Sequence, residues 1–134
     1  ETAQAEAATG VRPFGRTWMH VGTVRIGGEK MAKSTGNLVF VSDLVAKTSA
    51  AVVRALLLDR PYDEPWDFDD AGLQRAGARV DALHAAAGRP GSSDAASEAV
   101  LDALADGLDV RRALDLAVEE GGQAARDLTH VLGL

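Results

Sequence analysis

The chain has 134 residues, a formal net charge of −6 and no cysteine, with 46% hydrophobic and 25% charged residues. This length allows one domain with a sizeable core, and the composition excludes a disordered chain. The absence of cysteine excludes disulfides and thiolate metal sites within these residues and fits a cytoplasmic protein, while no apolar run reaches the roughly 18–20 residues of a membrane span.

The first third of the chain predicts a small α/β unit. An alanine-rich stretch over 1–8 predicts the end of a helix, closed near Thr9-Gly10. β-branched and aromatic residues over 17–26 predict one strand that ends at Gly27-Gly28. A loop with two lysines follows, and then a short apolar extended piece over 38–41.

The remainder predicts helices. Ser42 suits the N-cap of a helical turn over 43–47, and Thr48 or Ser49 suits the N-cap of a firmer helix over 50–58. The inward face of that helix is expected to carry Val52, Val53, Leu56 and Leu57.

Further helices are predicted from Asp69 or Asp70 to about Ala87, over 94–105, over 110–120 with Asp109 as cap, and over 123–132. Apolar residues recur along the first of these as a stripe: Leu73, Ala76, Val80, Leu83 and Ala87. The second is expected to turn four residues inward: Val100, Leu101, Leu104 and Leu108. We therefore expect an α/β remnant followed by a mostly α-helical bundle, predominantly helical overall.

Charge is unevenly distributed. Residues 1–60 contain 8 Lys/Arg against 5 Asp/Glu, whereas residues 61–134 contain 6 against 15. Proteins that grip phosphate backbones use clustered Lys and Arg, so the acidic second part is a poor nucleic-acid surface.

The loop before the long helix contains a cluster of acidic residues and a group of aromatic residues. The acidic cluster Asp63, Glu64, Asp67, Asp69 and Asp70 can bind a cation, although helix capping and solvation are the favoured interpretation. The aromatic residues Tyr62, Trp66 and Phe68 predict a hydrophobic contact between helices.

The stretch 27–37 is the most informative part of the sequence. Lys30 and Lys33 lie three residues apart between Gly27-Gly28 and Gly36, which predicts a flexible cationic loop. Such a loop can close on a polyanion and stabilise charge during phosphoryl or adenylyl transfer. The alternative is a solvated surface loop without a function.

The pentad Lys30-Met31-Ala32-Lys33-Ser34 resembles the KMSKS loop of class I aminoacyl-tRNA synthetases, with alanine at the central serine, and the likeness extends through Gly36-Asn37 to Ser42. Stretches on both sides add to it: 3–10, Pro13-Phe14, 18–22, 54–58, Tyr62 and 66–68. These stretches resemble cysteine-activating enzymes, namely cysteinyl-tRNA synthetase and the mycothiol ligase that joins cysteine to glucosaminyl-inositol.

The resemblance implies that a Rossmann domain makes cysteinyl-adenylate from cysteine and ATP. It implies that Lys30 and Lys33 stabilise the transition state as pyrophosphate departs, with Lys33 the favoured ATP contact and Ser34 adding a hydrogen bond. It further implies that the backbone of Val24 touches the adenylate. Ala32 removes a hydroxyl but neither charge, so we expect weaker loop ordering and intact chemistry.

The same families hold the thiolate of cysteine on a zinc ion, and Glu1 falls where the last zinc ligand can stand. Its partner histidine would precede residue 1 and the chain has no cysteine, so the site is incomplete here and an exposed terminal acid is the alternative.

We expect the chain to be the C-terminal part of a larger ligase, because the His-x-x-His tetrad of the resembled families is absent. The expected parts are 1–41 as the end of a Rossmann domain with the loop at 30–34, 42–87 as a stem-contact-like helical region, and 94–134 as a helical bundle. By itself such a chain should not activate cysteine.

The acceptor stays open between two molecules. Residues 38–42, the Thr9-Gly10-x-x-Pro13-Phe14 spacing and the acidic helical part favour the amino-sugar of mycothiol biosynthesis, whereas Trp18 and 131–134 resemble the tRNA enzymes. A non-catalytic helical module that binds a partner is a third interpretation.

Overall fold

The computed structural model describes Glu1–Leu134 and contains seven α-helices and one small sheet. The helices are α1 Thr2–Thr9, α2 Val41–Val45, α3 Ala50–Leu58, α4 Asp70–Ala87, α5 Asp94–Ala105, α6 Val110–Glu120 and α7 Gly122–Leu132. The strands are β1 Val24–Ile26, β2 Glu29–Lys30 and β3 Trp66–Asp67. The prediction of a mainly helical chain with a small α/β part is confirmed.

The sheet has the order β2-β1-β3. β1 pairs with β2 antiparallel, with Arg25 opposite Lys30, and with β3 parallel, with Val24 opposite Trp66. The strand predicted over 17–26 is therefore too long, because only Val24–Ile26 find pairing partners. β-branched residues favour a strand, but a strand also needs a neighbour for its backbone groups.

The helix starts follow the capping rule at four positions. Side chains accept hydrogen bonds from backbone N–H groups as follows: Ser49 from Val52, Asp69 from Gly72, Ser93 from Ala96 and Asp109 from Arg112. Each side chain satisfies one of the N–H groups that a helix leaves without an internal partner. The predicted cap Asp109 is confirmed, the two predicted alternatives resolve to Ser49 and Asp69, and the cap Ser93 was not predicted.

The predicted cap at Ser42 is wrong. α2 begins at Val41 after extended Phe40, so Ser42 lies inside the helix, and residues 38–40 form no strand. In α3 the buried residues are Val53, Ala55 and Leu56, while Leu57 is 50% exposed and does not belong to the inner face.

A main core fills the space between α4, α5, α6 and α7. Its 13 buried residues include Leu83, Val100, Leu114 and Leu128, each fully enclosed. Seven of the other nine are alanines from the same helices, which lets the helix backbones approach closely. Packing of this apolar surface provides most of the stability that such short helices cannot supply alone.

Two predicted core positions are exposed. Leu101 is 46% and Leu108 is 48% exposed, whereas Ala96 and Ala103 are buried with Val100. α5 turns its alanines to α6 and α7, and Leu108 lies beyond the end of α5 in a turn with positive φ, where helical periodicity no longer applies.

A smaller core lies between α3 and α4 and consists of Ala55, Leu56, Ala76 and Val80. Trp66 and Phe68 pack against it, as predicted, while Tyr62 is 39% exposed. α4 takes part in both cores, since Leu83 and Ala86 near its C-terminal end belong to the main one.

Ionic and polar contacts join α3 to the bundle. The Asp59 carboxylate lies 3.4 Å from Arg79 Nε and 3.7 Å from Arg111 Nε, and Arg79 also pairs with Asp115. Arg54 Nε donates to the carbonyl of Leu132 at 2.9 Å. The two cores are thus linked across a large sequence separation.

The segment before α2 has a different character. No residue before Leu44 is buried, and several of its large apolar side chains are more than half exposed: Val11, Phe14, Trp18, Met19 and Val21. None of the seven helices combines the length and the apolarity that a lipid bilayer requires.

Candidate functional site

The loop with the two lysines begins as a tight hairpin. Gly27 and Gly28 connect β1 to β2 with φ values of 59° and 82°. A two-residue turn with both φ angles positive matches the twist of an antiparallel pair, and glycine adopts it without a steric cost. The N–H of Met31 donates to the carbonyl of Val24 at 3.0 Å and continues the hairpin past Lys30.

A single turn of 3₁₀-helix follows at Lys33–Thr35. Extended Ala32 leads into this turn and Gly36, with φ 69°, ends it. Lys30 therefore stands at the end of a strand, whereas Lys33 stands at the start of a helical turn.

Asn37 closes the loop. Its Oδ1 accepts a hydrogen bond from the N–H of Ala32 at 2.9 Å, and its Nδ2 donates to the carbonyl of Lys30 at 3.3 Å. The Thr35 hydroxyl lies 2.6 Å from the same Oδ1 and 2.9 Å from the carbonyl of Ala32. One carboxamide thus contacts the chain before and after Met31.

The predicted site residues of the loop face solvent. Lys30, Lys33 and Ser34 are exposed, and neither lysine forms an ion pair. Two ammonium groups without carboxylate partners give the loop a local positive charge that is available to an anion.

Val24 lies in the middle of the same arrangement. It is half-buried in β1, opposite Trp66, and its carbonyl already accepts the hydrogen bond from Met31. The structure therefore brings Val24, Lys30, Lys33 and Ser34 into one hairpin and the turn that follows it.

A second anchor holds the other end of the hairpin. The N–H of Gly28 donates to Asp67 Oδ1 at 2.7 Å, although 39 positions separate the two residues. Asp67 belongs to β3, so the tip of the turn is attached to the segment that leads into α4. Within the acidic cluster, Asp69 caps α4 and Asp67 binds the hairpin, which agrees with the structural interpretation of these acids.

Zinc chemistry finds no complete donor set in this chain. No three His, Cys, Asp or Glu side chains lie close enough together to hold a metal ion. Glu1 is exposed at the N-terminus of α1 and its side chain caps no N–H group. The residues present do not fit a zinc site, and the metal role of Glu1 stays a prediction.

An open polar pocket of about 480 Å³ lies between the end of α3 and the start of α6. Its lining includes Arg60, Tyr62, Asp63 and Arg111. Arg60 stacks on the Trp66 ring with 3.7 Å between its guanidinium carbon and the ring centroid. Burial lowers the pKa of Arg60, and the neighbouring Arg111 and Arg75 lower it further against the attraction of Asp59.

Sequence reasoning found the lysines but not the two anchors. Asn37 was visible only as part of the extended loop motif, and Asp67 only as one acid in a cluster. The Asp67 contact depends on the parallel pairing of β1 with β3, which no local pattern indicates.

Residues 1–78 match the family model described as tRNA synthetases class I (C) catalytic domain. Among curated proteins, the chain is 44% identical over 92% of its length to an L-cysteine:1D-myo-inositol 2-amino-2-deoxy-alpha-D-glucopyranoside ligase of Thermobifida fusca, and 47% identical over 87% to that of Acidothermus cellulolyticus. It is 40% identical over 85% to a cysteine--tRNA ligase of Parvibaculum lavamentivorans.

The aligned part covers 30% of each of the first two relatives and 26% of the third, so the chain spans less than a third of their length. Both kinds of relative match most of this chain, and their identities are close to one another. The chain belongs to the family of class I (C) tRNA synthetase catalytic domains and their cysteine-ligase relatives.

Proposed function

We propose that the chain is part of an ATP-dependent, AMP-forming ligase that activates cysteine and transfers it to glucosaminyl-inositol. The observation that carries the proposal is the pair of exposed, unpaired lysines on a braced hairpin loop in a chain of this family. The contacts of Asp67 and Asn37 fix the backbone of this loop, and a fixed backbone gives the two lysines a defined geometry for an anion.

In the proposed reaction the carboxylate of cysteine attacks the α-phosphorus of ATP. The bond to the bridging oxygen of the β-phosphate breaks, and cysteinyl-adenylate and pyrophosphate form. Negative charge grows on the departing pyrophosphate, so Lys30 and Lys33 stabilise the transition state more than the bound ATP. Ser34 adds a hydroxyl hydrogen bond, and the backbone of Val24 lies against the adenylate.

Within the proposal the three parts of the chain have different roles. Residues 1–41 form the end of the Rossmann catalytic domain, 42–87 form a stem-contact-like helical region, and 94–134 form a helical bundle. The exposed apolar side chains over 11–21 then pack against the remainder of the catalytic domain. Apolar groups concentrated on one segment without a buried residue are typical of such a contact.

The charge of the bundle supports the amino-sugar acceptor. Residues 94–134 contain nine Asp/Glu against three Arg and no Lys. A tRNA backbone would meet repulsion from this surface, whereas an amino-sugar without phosphate groups does not need a cationic one. The amine of the acceptor would attack the carbonyl carbon of the adenylate, and AMP would leave as the amide forms.

Transfer to tRNA is the second candidate. It is supported by the 40% identity to the cysteine--tRNA ligase of Parvibaculum lavamentivorans over 85% of the chain. Both candidates use cysteine and ATP, and both belong in the cytoplasm, where these substrates are available.

The test uses the full-length protein in two steps. Cysteine-dependent ATP–pyrophosphate exchange reports formation of the adenylate, and radiolabelled cysteine is then offered with glucosaminyl-inositol or with total tRNA. Label in the amino-sugar product supports the proposal, and label in tRNA supports the second candidate. Failure of cysteine to support exchange would exclude both and leave the non-catalytic helical module.

A further inference from the structure

We propose that Asn37 is a positioning residue that fixes Lys30 and Lys33 relative to each other. The inference rests on the proposed function, since it concerns how the two lysines reach the departing pyrophosphate. It concerns a side chain that carries no charge and stands outside the lysine pentad.

The evidence is the two-ended hydrogen bonding of one carboxamide. Oδ1 accepts from the N–H of Ala32, and Nδ2 donates to the carbonyl of Lys30. The reversed amide would place an NH₂ group against an N–H and an oxygen against a carbonyl, so only the observed orientation satisfies both partners. An aspartate of the same shape can accept but cannot donate to Lys30.

These bonds act on the backbone between the two cations. Lys30 ends β2 and Lys33 begins the 3₁₀ turn, so the angle between their side chains depends on Met31 and Ala32. Asn37 binds the carbonyl on one side of Met31 and the N–H on the other. A catalytic group that is already held in place adds less entropic cost to the activation barrier than one that must first be ordered.

The same geometry bears on the alanine in the pentad. Ala32 is anchored through its backbone N–H, which every residue except proline carries, and its side chain takes no part in the bond. Ordering of the loop at this position therefore comes from Asn37 and needs no hydroxyl at residue 32.

The test compares Asn37→Ala and Asn37→Asp in the full-length protein with Gln74→Glu as the matched control. Gln74 is exposed on α4 and forms no side-chain hydrogen bond, so its conversion adds the same charge away from the loop. We expect both Asn37 variants to lower kcat of cysteine-dependent ATP–pyrophosphate exchange by about tenfold or more, with KM for cysteine unchanged. Gln74→Glu should match the wild type.

Two further measurements separate positioning from a purely structural role. In a Lys33→Ala background, Asn37→Ala should cost less than about threefold, because the relative placement of two lysines no longer matters when one of them is absent. Hydrogen exchange of the peptide that covers 30–37 should be faster in both Asn37 variants than in the wild type.

An equal kcat loss in the presence and absence of Lys33 would overturn the positioning role, as would unchanged kcat with faster hydrogen exchange. If the wild-type protein shows no cysteine-dependent ATP–pyrophosphate exchange, the proposed function is excluded, but the backbone contacts of Asn37 are not. Hydrogen exchange of the 30–37 peptide then tests whether Asn37 fixes the loop backbone. Unchanged exchange rates in both Asn37 variants would overturn that role.

Discussion

The carboxylate of Asp67 holds the backbone N–H of Gly28 at 2.7 Å and thereby attaches the tip of the lysine hairpin to the strand before α4. Gly28 follows β1 by two positions, and Asp67 lies in the strand that pairs with β1 on its other side. The hairpin is therefore secured at its tip by Asp67 and at its base by Asn37.

Removal of the Asp67 carboxylate should loosen the turn. A hydrogen bond to a charged group contributes about 1.5–3 kcal/mol when it is protected, and exposure at this site reduces that value. We expect Asp67→Ala to speed hydrogen exchange of the 27–31 segment and to lower the rate of ATP–pyrophosphate exchange several-fold. Asp63→Ala is the control, since Asp63 has no hydrogen-bond or ion-pair partner, and an equal effect of both changes would contradict the anchor.

Loss of either loop lysine should act on the transition state. Removing one preorganised charge from such a site typically costs about 100-fold or more in kcat. Lys30→Ala and Lys33→Ala in the full-length protein should each show this loss in pyrophosphate exchange, while the thermal stability stays the same. Lys47→Ala, an exposed lysine just after α2, should leave kcat as it is. A loss in kcat of only about tenfold or less at both Lys30 and Lys33 would contradict their catalytic role.

Restoring a hydroxyl at residue 32 should change little. The loop is ordered through the N–H of Ala32 and the carboxamide of Asn37, and both remain in Ala32→Ser. We expect kcat and KM for ATP to stay within about fivefold of the wild type, since a net hydrogen bond typically contributes about 1 kcal/mol. A clear gain in kcat would show instead that the alanine does weaken loop order.

The main core should respond strongly to truncation. Leu114 of α6 is fully buried in the main core, and a buried Leu→Ala change typically costs about 2–5 kcal/mol. Urea denaturation followed by far-UV circular dichroism measures the loss in the free energy of unfolding. Leu101→Ala provides the control, because Leu101 is largely exposed and surface changes usually stay within about 0.5 kcal/mol.

Local chemistry explains what the sequence predicted well. A serine or aspartate before an apolar helical period identifies a helix start, and Ser49, Asp69 and Asp109 confirm it. The lysine loop was predicted for a related reason, since glycines beside clustered cations indicate a turn that can meet an anion. Its role in catalysis stays a prediction that the experiments above decide.

Tertiary context explains the failures. Leu101 and Leu108 are as apolar as Val100, yet the alanines of α5 pack inward because close helix contacts favour small side chains. The strand predicted over 17–26 spans only three residues in the structure, because only those residues pair with neighbouring strands. The contact between Gly28 and Asp67 depends on a parallel pairing between distant segments, which a single sequence does not reveal.

α4 connects the two hydrophobic cores. Its 18 residues extend over roughly 27 Å, and its two ends lie in different cores. Because one continuous helix packs in both cores, their unfolding should be cooperative. The region beside the lysine hairpin and the distal bundle should therefore unfold together. Fluorescence of Trp66, measured in a Trp18→Phe variant so that one tryptophan remains, and far-UV circular dichroism should then show one coincident transition. A substitution in the bundle should lower the fraction of folded molecules without distorting the hairpin locally.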